Sequence, residues 1–360
     1  MNSQTDTSEG GEGRSNGGSG ASTLVTGASG FIGLHLVRQL LNRGHRVSCL
    51  VRSTSDISQL RAAGCQLITG DLTAREVASA LEISRPQTVF HLAGCVRAKQ
   101  LAEFAKVNIG GTEAVASACA GQAQRASRPV LVLVSSLAAA GHTLKDTQPR
   151  TESYPPAPIS AYGRSKLGGE HAAAAYAREL DITVVRPCVV IGPGDQGMQQ
   201  VFRPISRWGI HAVPGRGERR LSLLGVEDLV ECLILAAAKG ERLPAGGMDH
   251  TGRGVYFAAA ESLSQMELGV AIARALGQGG ARMIGVPESF MRCAGFLGDA
   301  YSMVRRRPVW LSSDKVSEIL AGSWVCSSEK ALRQLGWAPT APLADRLRET
   351  AEWYRAAGWL

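Results

Sequence analysis

The stretch TGASGFIG, residues 26–33, decides the fold of this chain. Its glycines Gly27, Gly30 and Gly33 have the GxxGxxG spacing, which suits a tight strand-to-helix turn and lets a phosphate approach the backbone. The turn follows a short apolar run and opens an amphipathic helix that ends at Gly44, as in a βαβ unit. Such a helix presents free N–H groups and its positive dipole end to a pyrophosphate. The motif therefore predicts a dinucleotide-binding turn, with a merely structural turn as the alternative.

Short apolar runs alternate with helical patterns along the first half of the chain. The predicted strands are residues 22–25, 46–51, 66–69, 88–92, 130–134 and 183–185. This alternation predicts an α/β fold with a parallel sheet that is covered by helices on both faces. Regularity is lost after residue 191 and returns at residue 226 with a predicted helix over 227–239 and a strand over 255–259. From residue 261 the chain reads as mostly helical, and a final amphipathic helix carries Leu343, Leu347, Ala351 and Tyr354 on one face.

Composition narrows the class of protein. Residues 1–20 are rich in glycine and serine and have no aliphatic side chain after Met1, so they predict a disordered tail. No run of eighteen apolar residues is present, which predicts no membrane span. Eight scattered cysteines without a CxxC pair argue against zinc or a disulfide framework and fit a reducing cytoplasm.

The formal net charge of +8 allows an anionic partner such as nucleic acid, anionic lipid or a phosphorylated ligand. Dense basic clusters occur only at residues 216–220 and 305–307, and no aromatic interleaving accompanies them. A solvated basic surface is the favoured interpretation, and we expect no binding to nucleic acid.

The end of the second strand bears on the choice of cofactor. An acidic residue there would accept hydrogen bonds from the ribose hydroxyls of NAD, but Val51 stands at that place and Arg52 follows it. A guanidinium pairs with the 2′-phosphate of NADP, so NADP is predicted and NAD stays possible. The alternative is that Arg52 stacks on adenine or points to water. Asp71, after the third strand, would bind the adenine amino group or cap the next helix.

Tyr162 and Lys166, in the sequence YGRSK, are four residues apart and share one face of a predicted helix. A phenol with a pKa of about 10 is a poor acid–base catalyst at neutral pH, and a nearby ammonium is expected to lower that pKa. The same ammonium would bind the nicotinamide ribose. Ser136 ends the fifth strand, at the sheet edge where ligands bind, and would hold the substrate oxygen. The three residues predict proton transfer beside a nicotinamide.

Two further polar positions are less specific. Asn108 lies in a predicted helix, where asparagine is a poor former, and would hold a water, kink the helix near the lysine or simply lie on its surface. Pro187 follows the sixth strand and removes an N–H where the cofactor carboxamide passes, unless it is only a strand-end proline. His91, at the end of the fourth strand, is interpreted as a strand residue and not a catalyst.

At these residues the chain resembles the extended short-chain dehydrogenase/reductase family, of the NAD-dependent epimerase/dehydratase type. The segments that carry the resemblance occur in the family's order: TGASGFIG, GDL, HLAG, VNIGGT, VSS, YGRSK and RPCVVIGPG. The resemblance implies a Rossmann doubly wound parallel sheet over residues 21–192. A smaller, mostly helical substrate-binding part would occupy residues 193–360, interleaved with the first near 226–260.

The resemblance also implies roles for individual residues. The implied catalytic residues are Ser136, Tyr162 and Lys166, with Asn108 as a possible fourth. The implied cofactor contacts are Gly27, Ser29, Gly30, Phe31, Ile32, Gly33, Arg52, Asp71, Leu72, Ala93, Gly94, Lys166 and Pro187.

Departures from the family pattern narrow the branch. Leu137 and Ala138 stand where nucleotide-sugar dehydratases carry an Asp-Glu pair. Leu221-Ser222 stands where epimerases usually carry Arg-Asp, although Arg219 and Arg220 are adjacent. The segment VRSTSD, from residue 51, is more similar to the dihydroflavonol-reductase and 3β-hydroxysteroid-dehydrogenase branch.

The primary hypothesis is an NADP(H)-dependent oxidoreductase that transfers hydride between the nicotinamide and a hydrophobic ketone or secondary alcohol. Trp208, Trp310, Trp324 and residues 291–304 would line its pocket, or else form ordinary core. One alternative is an NAD-dependent nucleotide-sugar epimerase, and another is a non-catalytic NADP-sensing regulator. A homodimer is possible through the small residues 172–175, which packing against the chain's own sheet explains as well.

Overall fold

The computed structural model describes residues 20–98, 101–123, 128–143, 148–215, 219–305 and 309–360. The predicted tail therefore lies outside the described residues, except for Gly20. Residues 216–218 and 306–307, which belong to the two basic clusters, also lie outside them.

Strands and helices alternate along the described chain. The strands are β1 (Ser22–Thr26), β2 (Arg46–Val51), β3 (Gln66–Thr69), β4 (Thr88–His91), β5 (Val130–Val134), β6 (Asp181–Pro187), β7 (Val189–Ile191), β8 (Ile210–Pro214), β9 (Arg220–Gly225), β10 (Val255–Ala258), β11 (Glu261–Ser264) and β12 (Arg282–Val286). The helices are α1 (Phe31–Asn42), α2 (Ser58–Ala63), α3 (Ala74–Ser84), α4 (Leu101–Phe104), α5 (Gly111–Ala123), α6 (Leu137–Ala140), α7 (Ala161–Ala174), α8 (Gln196–Trp208), α9 (Val226–Lys239), α10 (Gln265–Ala275), α11 (Glu288–Arg305), α12 (Ser313–Leu320), α13 (Glu329–Leu335) and α14 (Leu343–Ala356). A π-helical segment, Ala105–Gly110, joins α4 to α5.

Seven parallel strands form the main sheet, in the order β10-β6-β5-β4-β1-β2-β3. The order reverses between β1 and β4, which makes the gap between their carboxyl ends the topological switch point of a doubly wound sheet. All seven predicted strands belong to this sheet, with bounds within two residues of those predicted. The predicted fold class is thus confirmed, whereas the division into a cofactor part and a substrate part stays a prediction.

The sheet is covered on both faces, and the sequence of β5, VLVLV, reflects this. Leu131 and Leu133 point to the face that α3, α5 and α7 cover, and Val132 and Val134 point to the face that α1 and α9 cover. Because successive side chains of a strand alternate between faces, a strand buried on both sides has to be apolar throughout.

The prediction that residues 192–225 lack regular secondary structure is wrong. This stretch contains α8, whose apolar residues Met198, Phe202 and Ile205 are buried together. Asp195 caps the helix by accepting from the N–H groups of Gly197 and Met198 at 2.7 and 2.9 Å. The helix escapes sequence inspection because only one narrow face is apolar and Pro204 lies inside it. Strands β7, β9 and β11 then form a second, three-stranded sheet, and β12 pairs with β8.

The C-terminal helix α14 packs as predicted. Leu343, Leu347, Ala351 and Tyr354 are all buried, in one cluster with α8 and α10. The Tyr354 hydroxyl donates to the carbonyl of Asp195 at 2.6 Å, which ties the end of the chain to the start of α8. Among the described residues, no helix is both long enough and apolar enough to cross a bilayer.

Candidate active site

The predicted site residues converge at the carboxyl edge of the main sheet. Gly27 follows β1, Ala93 follows β4 after Leu92, and Ser136 lies two residues beyond β5. Because these three strands are neighbours in the sheet, their ends form one floor next to the switch point.

The glycine turn is shaped by backbone contacts that leave no room for side chains. Gly27 has a φ of +74°, and a Cβ there would lie 2.5 Å from the Ala93 nitrogen. A Cβ on Gly33 would lie 2.2 Å from the Gly27 carbonyl oxygen. Gly30 precedes α1 without any side-chain cap, so the first N–H groups of the helix stay open to a ligand. These features fit a dinucleotide pyrophosphate.

The other positions of the turn border the same opening. Ser29 is exposed, and Phe31 and Ile32 are half-buried at the start of α1. Gly94, across the floor, is exposed, and a Cβ there would lie 3.2 Å from the Asn108 Oδ1 and 3.6 Å from the Lys166 Nζ. The absence of a side chain at Gly94 thus leaves the lysine accessible from the turn.

His91 supports the floor from below and, as predicted, is a strand residue. Its ring is 1% exposed and contacts the hydroxyls of Thr26, at 2.7 Å from Nδ1, and Thr112, at 3.1 Å from Nε2. Burial, together with the charge of Lys166, lowers the pKa of His91 to about 3. The imidazole therefore stays neutral in the folded protein.

We expect His91 to make the fold sensitive to mild acid. The unfolded chain takes up a proton below pH 6.5, whereas the folded chain does so only near pH 3. Stability from this group is thus full above pH 6.5 and falls by up to about 1.4 kcal/mol per pH unit below it. Urea unfolding between pH 7 and 4 should show a shallower loss in His91→Gln than in wild type, and parallel losses would contradict the assignment.

Tyr162 and Lys166 lie on one side of α7, near its N-terminus. Ser160 caps this helix and accepts from the N–H of Gly163 at 2.9 Å. The Ser136 side chain lies close enough to the Tyr162 hydroxyl to favour its ionised form, and the Lys166 Nζ donates to the Val134 carbonyl at 2.8 Å. The structure therefore brings together the serine, tyrosine and lysine that the sequence singled out.

The expected lowering of the tyrosine pKa is not found. Burial raises the pKa of Tyr162 to about 12 and outweighs the opposite effect of the nearby Ser136 side chain. Burial also lowers the pKa of Lys166 to about 8, against the effect of the Glu170 carboxylate, which raises it. In this arrangement the lysine is held by a backbone carbonyl, and desolvation dominates the titration of both groups.

Asn108 is not a surface residue, and that alternative is wrong. It is 2% exposed and lies in the π-helical segment, which widens the helix beside Lys166. Its Oδ1 accepts from the Cys95 N–H at 2.7 Å, and its Nδ2 donates to the Cys95 carbonyl at 2.9 Å and to the Ser165 hydroxyl at 2.8 Å. Asn108 thus fastens the loop after β4 to the helix that carries Lys166.

The predicted adenosine-binding residues lie at the ends of β2 and β3. Arg52 and Asp71 are both exposed, and a hydrogen bond from the Gly70 nitrogen to the Val51 carbonyl, 2.9 Å, holds the two strand ends together. Asp71 does not cap α3. Thr73 does, since its hydroxyl accepts from the Glu76 nitrogen, while the Asp71 carboxylate accepts from the nitrogen of Leu72.

Pro187 ends β6 and is buried, and it is the last residue of the strand instead of following it. Pro187 pairs in register with Ala258 of β10 but has no N–H to donate. The next hydrogen bond between the two segments comes from the Cys188 nitrogen, which donates to the Ala258 carbonyl at 3.1 Å.

Sequence inspection missed a buried charged cluster beneath the catalytic residues. Glu170 accepts from the Arg186 guanidinium through both carboxylate oxygens and also from the Ser135 hydroxyl. Glu170 and Arg186 are both almost fully buried. The available signal was the position of Glu170, four residues after Lys166 on the same face of α7.

Helix α12 was missed as a support of Tyr162. The Asp314 carboxylate accepts from the Ala161 nitrogen at 2.7 Å, and the Glu318 carboxylate accepts from the Ser160 hydroxyl at 2.5 Å. Both contacts are at the N-terminus of α7, where a negative charge is favourable. They join residues about 150 positions apart, which no local pattern reveals.

The tryptophans predicted to line the substrate pocket differ in burial and position. Trp324 is buried in a cluster with Leu137, Ala138 and, at its edge, Tyr162. Trp310 is half-buried, and Trp208 is 68% exposed at the end of α8. Residues 291–304 lie in α11, and most of their large apolar side chains face outward instead of lining an enclosed pocket or packing in a core.

This fold and site define a Rossmann-type enzyme of the NAD(P)-dependent oxidoreductase or epimerase/dehydratase class. A model of the NAD-dependent epimerase/dehydratase family matches residues 23–248, and the chain belongs to that family, within the extended short-chain dehydrogenases/reductases.

Three relatives illustrate the range of activities in the family. A ceramide reductase of Caulobacter vibrioides is 30% identical over 93% of this chain and 95% of its own length. A UDP-glucose 4-epimerase of Mycolicibacterium smegmatis is 27% identical over 92% of this chain and 98% of its own. A 3β-hydroxysteroid dehydrogenase/Δ5→4-isomerase of Mycobacterium tuberculosis is 30% identical over 71% of this chain and 69% of its own. The last confirms the predicted similarity to that branch.

Proposed function

We propose that the protein is an NADP(H)-dependent reductase or dehydrogenase that acts on a hydrophobic ketone or secondary alcohol. The observation that carries the proposal is the meeting of Ser136, Tyr162 and Lys166 at the sheet edge, beside a glycine turn open to a dinucleotide. The roles of these residues and of the cofactor contacts named above are part of the proposal.

In the proposed reaction the glycine turn would hold NADPH or NADP⁺, which would supply or accept the hydride at the substrate carbon. In reduction the Tyr162 hydroxyl gives its proton to the carbonyl oxygen and becomes phenolate, and in oxidation the phenolate accepts the proton of the alcohol. The Ser136 hydroxyl, which lies near the phenol, orients that oxygen. Lys166 places a positive charge one helical turn from the phenol, which favours phenolate when the proton leaves. Asn108 fixes the position of the helix that carries Lys166, and its role as a fourth catalytic residue stays a prediction.

The surroundings of Tyr162 favour an apolar substrate. Leu137, Ala138 and Trp324 are buried beside it, and the Phe104 ring centroid lies 6.0 Å from its own. The first two occupy the positions of the dehydratase carboxylates, so water elimination lacks its acid and base. Two relatives are named for ceramide and a steroid, and we extend this class of lipid-like substrates to the present chain.

We expect Arg52 to select NADPH. In calorimetric titrations of cofactor-stripped protein, Arg52→Ala should lose affinity for NADPH by about 10- to 100-fold, the equivalent of ~1.5–3 kcal/mol for hydrogen bonds to a charged group. Its affinity for NADH should stay unchanged, because that ligand has no 2′-phosphate. The matched control is Arg333→Ala, which removes another exposed arginine, on α13.

Equal binding of both cofactors by wild type would contradict the role of Arg52. NAD that cannot be stripped from the purified protein would instead move the epimerase to first place. That second candidate is favoured by the full-length similarity to the UDP-glucose 4-epimerase. Against it, Arg219 is paired with Glu288 at 2.6 Å and Arg220 with Glu267 at 3.1 Å, so neither guanidinium is free for a nucleotide diphosphate.

A non-catalytic NADP sensor would have no need of a serine, a tyrosine and a lysine brought together for proton transfer. A homodimer stays a prediction, but Ala173 and Ala174 of the small-residue surface already pack in the chain's own core. All eight cysteines are free thiols, which supports a reducing compartment such as the cytoplasm.

A further inference from the structure

Helix α11 presents a continuous apolar surface to solvent. Six large side chains on it are between 55% and 80% exposed: Phe290, Phe296, Leu297, Tyr301, Met303 and Val304. Residues 290, 297, 301 and 304 recur at the i, i+3, i+4 spacing that puts them on one face, and 296 and 303 flank it. Other exposed large hydrophobics of the described chain are dispersed, and isolated ones are ordinary, whereas a contiguous patch marks an interaction surface.

The orientation of this surface is fixed by the opposite face of the helix. Gly295 and Ser302 are buried there, and a Cβ on Gly295 would lie 2.9 Å from the Val316 Cγ2 of α12. A Cβ on Gly298 would lie 2.1 Å from the Leu311 carbonyl oxygen. The small residues thus already pack closely against residues 311–316. Turning the apolar face inward would break this contact, so its exposure follows from the packing.

The charges around the apolar surface are cationic. Arg292 and Arg305 on α11 are exposed. The two acidic residues of α11 are engaged within the protein, because Glu288 pairs with Arg219 at 2.6 Å and Asp299 accepts from the Ser313 nitrogen at 3.2 Å. The whole chain has a formal charge of +8.

We propose that α11 is a membrane-surface helix that docks on anionic phospholipid, with its apolar face in the boundary between headgroups and acyl chains. A helix with one apolar face and a cationic rim lies in the plane of the interface and does not span the bilayer. A second copy of the chain fits less well. Two-fold pairing of this surface would bring its arginines to one rim without free carboxylates of α11 to neutralise them.

The docking helix is connected to the catalytic residues through α12. Asp299 of α11 holds the first turn of α12, and Asp314 and Glu318 of α12 hold the N-terminus of α7, next to Tyr162. This connection places the catalytic tyrosine close to the bilayer surface, where a lipid ketone would be found. The link to a lipid ketone rests on the proposed function. Docking itself is independent of the substrate.

The test is co-sedimentation of the full chain with vesicles of phosphatidylcholine alone and of phosphatidylcholine mixed with phosphatidylglycerol. We expect wild type to bind the mixed vesicles at least 10-fold more tightly, and high salt to weaken binding. The double variant Phe296→Gln/Leu297→Gln should bind the mixed vesicles at least 10-fold more weakly than wild type. The control Ile83→Gln/Leu332→Gln, which changes two comparably exposed side chains elsewhere, should bind as wild type does.

Failure of wild type to sediment with mixed vesicles, or an equal loss in the control pair, would overturn the proposal. The proposal would also be overturned if light scattering gave the mass of a dimer for wild type and of a monomer for the Phe296→Gln/Leu297→Gln variant alone, because α11 would then bind a second copy of the chain. Circular dichroism melts identify a variant that is merely unfolded, and Arg292→Gln/Arg305→Gln then tests the charge separately. Tyr162→Phe should keep vesicle binding while losing turnover, which separates docking from the proposed reaction.

Discussion

Tyr162→Phe is expected to lower kcat by about 10²- to 10⁴-fold, the usual contribution of a positioned acid–base group, while cofactor affinity changes little. The substitution removes only the hydroxyl. The ring keeps its packing against Phe104 and in the cluster with Trp324, so the site should retain its shape. What is lost is the proton donor beside Ser136.

The measurement is NADPH oxidation with a panel of apolar ketones, together with calorimetric binding of NADPH. Tyr176→Phe, which removes a tyrosine hydroxyl just beyond the end of α7, is the matched control and should turn over as wild type does. Turnover by Tyr162→Phe at the wild-type rate would refute the mechanism. Loss of NADPH binding together with turnover would mean that the tyrosine shapes the cofactor site instead.

The sequence predicts the main sheet well because its signals are local. Each strand is a short apolar run whose two faces are both buried, as β5 shows. Gly33 is required by its contact with the backbone of Gly27, six residues earlier, and Gly27 by its contact with the backbone of Ala93, which follows the adjacent strand β4. The position of Ser136 follows from the same regularity, because the ends of neighbouring parallel strands meet at one edge, whereas Tyr162 and Lys166 share one face of α7 because they are four residues apart.

The supporting contacts of the site are not local, and the sequence does not reveal them. Asn108 bonds to Cys95 and Ser165, and Glu170 bonds to Arg186, through pairings that exist only once β4, β6 and α7 are assembled. The pKa of Tyr162 was mispredicted for the same reason: the spacing of Tyr162 and Lys166 indicates a nearby ammonium, but it does not reveal the burial that raises the pKa of the phenol.

Helix α11 shows that the sequence pattern of a helix does not identify what its apolar face contacts. An apolar face of the same width serves either a core or an interface, so its pattern alone predicts an amphipathic helix and not its partner. The discriminating information is the placement of Gly295 and Gly298 against residues 311–316, which is tertiary.

The second large effect is on stability. Glu170→Gln is expected to lower the free energy of unfolding by about 3–5 kcal/mol, because it leaves the Arg186 charge buried without its partner. The guanidinium is 2% exposed and the carboxylate 0%, so water cannot replace the lost charge. Glutamine keeps the volume, and the loss is therefore electrostatic and not a cavity effect.

Urea unfolding followed by circular dichroism measures the change. Glu329→Gln is the matched control, because its pair with Arg333 is about 70% exposed on both sides and should contribute no more than about 1 kcal/mol. A loss in Glu170→Gln as small as in the control would show that the buried pair is not needed for the fold.

The same substitution also separates stability from the site. The Glu170 carboxylate raises the pKa of Lys166 against the lowering caused by burial. Its removal should therefore lower that pKa below about 8 and move the alkaline loss of activity to lower pH. Double replacement of Glu170 and Arg186 by leucine should recover much of the stability, since it removes both buried charges, but it cannot restore the charge beside Lys166. Recovery of the wild-type pH profile in that variant would show that Glu170 acts only on the fold.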